Sequence, residues 1–224
     1  MTDDIDTKSL IKMGLKSLAV SFPVAASLAQ AWSEYELKIQ SERIEEFFEK
    51  FRSELEALKG RIEEVKEYIL ESREIPSLIE RSIDKIKREA SERKRARFAH
   101  LLALNIAAAE ELDYDDKISF IETLDTLTEQ DIHVFSMFGS NKRIRVGEIF
   151  ESGILKQYTG EEKMGRLVSS ITKLESRALI GETISDKEFD SYAMFGDPSS
   201  FMNRWKIKYF ELSPFGSLFA KHIL

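Results

Sequence analysis

From Leu37 onward, large apolar residues recur at Ile44, Phe48, Phe51, Leu55, Leu58, Ile62, Val65 and Ile69. The spacings are 7, 4, 3, 4, 3, 4, 3 and 4. A repeat of about 3.5 residues over more than four heptads predicts a long helix with one seam that must face another helix. Gly60 weakens that helix without shifting its register. Pro76 disfavours helix at Ile75, so "ESREIPSL" reads as the turn. A second helix is expected from about Ser77 to Glu111, with Ile79, Ile83, Ile86, Ala90, Leu101 and Leu104 near one face. Ile118, Ile121, Leu124 and Leu127 mark a third, and Thr128 then caps a new helix with Asp131 in its first turn. The expected organisation is an N-terminal helical domain over residues 1–127 and a second domain over 128–224.

The second domain has a different rhythm. A helix near Glu129 to Phe138 leads into the basic turn "GSNKRIR" and a short helix in "VGEIFESGIL". Gly160 opens a longer helix with the apolar stripe Met164, Leu167, Val168, Ile171 and Leu174. "ALIGETI" then leaves it as a strand. "RWKIKYFEL", from Arg204, reads as a second strand. Ser213 and Pro214 read as the N-cap and first-turn proline of a closing helix. The connection from Ser185 to Asn203 is long, and "FGDPSS" within it reads as an exposed tip.

Charge alters this picture by region. The chain carries a formal −7, which argues against coating nucleic acid through bulk charge. Glu42 to Glu74 holds eleven acidic and seven basic residues, whereas Lys85 to Arg97 holds seven basic and two acidic. An antiparallel hairpin folded at Pro76 would lay these stretches side by side. The basic run "KIKREASERKRAR" is then a face paired with the acidic helix, or else a patch for nucleic acid or anionic lipid. Ser17 to Trp32 carries no charge and contains Pro23. It reads as a kinked core helix or as a segment that enters or lies on a membrane.

The run Ile171, Leu174, Glu175, Ala178, Leu179, Ile180 resembles the third helix of bacterial winged-helix domains, written L-x-x-L-E-x-x-G-L-I. Ala178 stands where that family has glycine. The resemblance covers Thr128 to Leu224. With the periodicity of the first domain, the expected fold is mainly α: a long antiparallel helical hairpin or coiled coil, followed by the α+β winged helix with a small β wing that the resemblance implies. In it "ALIGETI" and "RWKIKYFEL" are wing strands and "SPFGSLFAKHI" is the closing helix. The whole arrangement, including "ASERKRARFAHLLA" and "FIETLDTLTEQDIHVF", is similar to a class of bacterial proteins. Proteins of that appearance point to prophage or phage-defence neighbourhoods, and the likeness implies no established biochemical activity.

Candidate contacts follow from spacing. Lys163, Arg166, Ser170, Lys173 and Arg177 fall at steps of 3, 4, 3 and 4, one stripe on the third helix where phosphates and bases would be met. Lys142, Arg143 and Arg145 in the earlier turn, and Arg204, Lys206 and Lys208 on the wing, are candidates to hold phosphates. Against this, Asp125 to Leu224 holds 13 basic and 14 acidic residues, and winged helices also serve as protein-docking modules. Ile44, Phe48, Phe51, Leu55, Leu58, Ile62, Val65 and Ile69 are the candidate oligomerisation seam, with a dimer expected.

Catalytic patterns are lacking. There is no cysteine. His100, His133 and His222 lie in separate elements without metal-ligand spacing, and no phosphate-binding glycine loop or nucleophile elbow occurs. No enzyme activity, metal or cofactor is expected. Two functions remain: a cytoplasmic binding or regulatory protein that contacts DNA, a protein partner or a second copy, and a membrane-acting effector, peripheral to the inner membrane, that uses residues 17–32 under control of the winged helix.

Overall fold

The computed structural model describes residues 41–64, 72–108, 111–139, 143–183, 201–206 and 208–224. The uncharged segment 17–32, Leu37, Val65, Ile69, Lys142 and the "FGDPSS" tip lie outside these. The described part is mainly helical with a small antiparallel sheet. It divides into two compact units, Met1–Asp125 and Thr126–Leu224.

In the first unit, α1 (Ser41–Ala57) continues almost directly as α2 (Lys59–Glu64). Leu58 interrupts the assignment, yet its amide still donates to the Glu54 carbonyl and its own carbonyl accepts from Ile62. The periodic seam is a core stripe: Ile44, Phe48, Phe51, Leu55 and Ile62 are buried within the single chain, and Leu58 is half-buried. Phe47, outside the seam, is also fully buried and stacks on Phe51 at 5.9 Å. These side chains are thus enclosed by the chain's own helices, rather than left open for a second copy as the oligomerisation expectation requires.

The expected second helix is two helices. α3 (Glu74–Ile86) begins before Pro76, so the proline sits in its first turn, where a missing N–H costs nothing, and not at the fold. The chain breaks over residues 87–91, and α4 (Glu92–Ala107) starts from Ser91, whose hydroxyl accepts from the Lys94 amide. The carbonyls exposed by this break are satisfied by side chains. Arg95 Nη1 donates to Glu89 and Ala90 at 3.0 Å each, and Arg43 Nη1 to Lys87 at 2.9 Å.

The break reverses the expected geometry. Arg43 meets Lys87, Glu46 meets Arg95, Glu54 meets His100 at 2.7 Å and Arg61 meets Glu111 at 3.4 Å. Both residue numbers rise together, so α1 and α4 run parallel, with α3 running back toward their starting ends. α5 (Tyr114–Thr126) returns beside α3: Ser77 meets Tyr114 at 2.6 Å and Lys85 meets Glu122 at 2.6 Å. The result is an up-down-up-down helical bundle, not one hairpin. Acidic α1 and basic α4 do adjoin, as charge composition implied. Burial would raise the pKa of Glu46, but hydrogen bonds from Arg95 and Lys50 more than offset this and hold it below the usual carboxylate range. Lys117 is 1% exposed, and its burial lowers its pKa despite Glu74 at 3.8 Å.

In the second unit the order is α6 (Glu129–Ser136), β1 (Ile144–Arg145), α7 (Val146–Glu151), α8 (Gly160–Ser176), β2 (Ile180–Thr183), α9 (Phe201–Lys206), β3 (Tyr209–Leu212) and α10 (Pro214–Ile223). The strands lie in the order β1-β3-β2, all antiparallel, with Ile144 opposite Phe210 and Ile180 opposite Leu212. "RWKIKYFEL" is therefore not one strand. Its first residues end α9, so Arg204 and Lys206 belong to a helix, and pairing begins only at Tyr209. Ile144–Arg145, read as turn, supplies the third strand. Met164, Leu167, Ile171 and Leu174 of α8 form the core with Ile132, Phe135, Phe210 and Phe219, and the Phe135 and Phe219 rings lie 5.7 Å apart.

Candidate nucleic-acid interface

The C-terminal part of α8 is fixed by chemistry written in its neighbours. On the α6 side, Thr128 and Asp131 make a reciprocal capping box: Asp131 N–H donates to Thr128 Oγ1 and Thr128 N–H to Asp131 Oδ2. Asp131 is 3% exposed and also accepts from Lys173 Nζ of α8 at 2.6 Å. Its burial alone would raise its pKa. The hydrogen bonds from Lys173 and Thr128 prevail and lower it. At the same end, Leu179 N–H donates to the Leu174 carbonyl and Ala178 N–H to Glu175, a full Schellman closure. Ala178 consequently takes φ +55°, a left-handed conformation that favours glycine.

α10 locks onto that exit. Ser213 is its N-cap, accepting from Gly216 N–H at 2.8 Å, and Ser213 Oγ donates to the Ala178 carbonyl. The Ser213 amide donates to Leu179 O at 3.1 Å. A Cβ on Gly216 would lie 2.6 Å from the Leu179 carbonyl carbon, so only glycine lets α10 seat here.

This framework separates the expected stripe on α8 into unlike residues. Ser170 is 1% exposed and accepts from Gln130 Nε2 at 3.0 Å, so it faces the core. Lys173 is turned inward to Asp131. Ser170 is thus buried away from the surface the stripe requires, and Lys173 has its charge paired with Asp131. Lys163 is half-buried with its ammonium 4.6 Å from the Phe150 centroid. Arg166 is exposed, pairs with Glu162 at 3.3 Å and lies 3.9 Å over the Tyr158 ring. Arg177 is exposed. The outward face of α8 is instead Glu162, Gly165, Ser169, Thr172 and Ser176, a strip of small uncharged residues with an acidic start.

The remaining cations gather on aromatic rings. Lys206, on α9, lies 4.7 Å from Phe150, Lys208 lies 4.9 Å from Trp205 and Arg143 lies 4.9 Å from Tyr209. Lys208 also pairs with Glu182 at 2.6 Å across the β2–β3 pair. Arg145 approaches Glu148 at 4.0 Å, and Arg204 is exposed. α7 and α9 can meet closely because residue 147 is glycine: a Cβ there would lie 3.1 Å from the Lys206 carbonyl. All four rings, Phe150, Tyr158, Trp205 and Tyr209, are half-buried. The sequence reading named the cations and missed these aromatic partners; the signal available was the basic-aromatic alternation in "RWKIKYF".

Outside this region, a cleft of about 270 Å³ in the first unit is lined by Arg81, Asp84, Lys85, Arg88 and Glu122. Much of its charge is paired, Lys85 with Glu122 and Asp125, and Asp84 with Lys87. Among the described residues, no group of three metal-ligating side chains comes together, and no helix is long and apolar enough to cross a membrane. No family model, curated protein or solved structure matches the chain.

Proposed function

We propose that the protein is a non-enzymatic binding protein whose second unit is a winged helix that contacts the backbone of nucleic acid. The element order α6-β1-α7-α8-β2-β3 with sheet order β1-β3-β2 supports the winged-helix assignment. One observation carries the ligand class. Five cations on or beside α7, α8, α9 and β3, namely Arg143, Lys163, Arg166, Lys206 and Lys208, are each held over an aromatic ring. Positive groups interleaved with flat rings suit phosphate oxygens and bases together. The outward strip of α8 carries no basic excess, so base reading along that helix is not part of the proposal. Binding is therefore weakly sequence-selective.

Docking of a protein is the second reading, favoured by that same strip. Gly165, Ser169, Thr172 and Ser176 are small, exposed and uncharged, and such a surface lets another chain approach closely. A salt-series titration separates the two. About four phosphate contacts give a slope of roughly −3 to −4 in log affinity against log salt, whereas docking on the neutral strip gives almost none. The membrane-acting alternative rests on residues 17–32, and deleting the first 32 residues tests it: loss of liposome flotation with retained folding supports it, and aggregation removes its basis.

A further inference from the structure

Phe150 closes α7, and two lysines from different elements converge on its ring. Lys163 Nζ of α8 lies 4.6 Å from the ring centroid and Lys206 Nζ of α9 lies 4.7 Å from it. The two ammonium groups are therefore at most about 9 Å apart, close to one Debye length at 0.1 M salt. Among the described residues neither forms an ion pair. Glu162 turns to Arg166, and Glu148 to Arg145. Two like charges converge on one ring, and α7 and α9 approach closely at Gly147, where a side chain would meet the Lys206 carbonyl. An arrangement of this kind lowers its own repulsion by taking an anion between the two charges.

We infer that Lys163, Lys206 and Phe150 form a cradle for a single phosphate group. Separate oxygens of one phosphate can each accept a charge-assisted contact of about 2.8 Å, one from each ammonium. Phe150, half-buried, leaves part of its ring to contact a sugar or base attached to that phosphate. The cradle deepens the nucleic-acid proposal by naming where one backbone phosphate is gripped, and it rests on that proposal for its source. Free inorganic phosphate offers the same chemistry.

The test uses the full chain with Lys163→Gln, Lys206→Gln and the double variant, each checked for an unchanged melting temperature. Two probes are titrated: a short single-stranded oligodeoxynucleotide across a salt series, and inorganic phosphate followed by NMR of the lysine Nζ groups. Each single variant is expected to weaken oligonucleotide binding roughly tenfold, the loss of one charge-assisted hydrogen bond, and to flatten the salt dependence by about 1. Because both lysines hold the same phosphate, the double variant should lose much less than the product of the two. Lys163→Arg should retain binding. Independent, multiplying losses would overturn a shared cradle, as would unchanged binding in folded variants. If inorganic phosphate shifts both lysines but the oligonucleotide does not bind, the cradle holds and the nucleic-acid function is wrong. Oligonucleotide binding indifferent to both substitutions, with no phosphate-induced shift, leaves the function standing and removes the cradle.

Discussion

Replacing Ala178 with glycine should stabilise the second unit. Ala178 occupies φ +55°, where its Cβ crowds the backbone at a cost of about 1–2 kcal/mol for an L-residue. Glycine removes that cost but gives the unfolded chain more freedom, an opposing effect of about 0.5–1 kcal/mol. The site requires nothing of the methyl group, since Ala178 is exposed. The two Schellman hydrogen bonds, Leu179 to Leu174 and Ala178 to Glu175, use backbone atoms alone. The net expectation is a gain of about 0.5–1 kcal/mol. For a unit of this size that corresponds to a melting temperature higher by about 2–8 °C. Urea unfolding followed by Trp205 fluorescence, in a Trp32→Phe background so that only the second unit reports, gives the midpoint directly. An equal or lower midpoint at unchanged slope would refute the assignment of strain to this residue.

Other substitutions probe the same knot and its neighbour. Gly216→Ala should destabilise by about 3 kcal/mol or more, because the new Cβ must displace the Leu179 backbone and with it the Ser213 hydrogen bonds; a shift in the unfolding midpoint below 1 kcal/mol would contradict this. Asp131→Asn should cost about 1–3 kcal/mol, since it removes the charge that meets Lys173 and weakens the capping box. The sign of its pH dependence follows from a lowered carboxyl pKa: its stabilisation is complete above the ordinary aspartate value and is lost as pH falls through the lower folded value. The wild-type protein should therefore lose stability on acidification more steeply than Asp131→Asn does, as unfolding midpoints between neutral and acid pH will show.

Periodicity revealed which faces are buried but not where the chain turns. The seam Ile44, Phe48, Phe51, Leu55 and Ile62 is core, because burial is what selects a 3.5-residue apolar repeat. The break at 87–91 stayed hidden because Ile86 and Ala90 continue the apparent register, and its only local mark is Ser91. The decisive residue, Arg95, caps carbonyls five and six positions earlier through its side chain, an interaction that apolar periodicity does not record. Charge complementarity marks α1 and α4 as neighbours but is blind to direction, so it does not distinguish their parallel packing from an antiparallel one.

In the second unit, Thr128, Ser213 and Pro214 were legible because capping is local chemistry. The stripe on α8 was misplaced for a geometric reason. Lys163, Arg166, Ser170 and Lys173 each precede a core residue, Met164, Leu167, Ile171 and Leu174, by one position. They lie about 100° from the centre of the buried face, at its margin. At that margin Gln130 and Asp131 draw Ser170 and Lys173 inward, while the true outward face falls a further step round the helix. The rings that hold the cations come from α7, the α7–α8 connection, α9 and β3, segments that folding brings together.

The most direct measurement of the central claim is a salt-series titration of the purified full chain with duplex and single-stranded DNA of unrelated sequences. Binding that weakens with a slope of roughly −3 to −4, with little preference among sequences, is the predicted result. A well-folded protein that binds neither, or that binds with no salt dependence, would contradict it and leave the small, uncharged strip of α8 as a surface for protein.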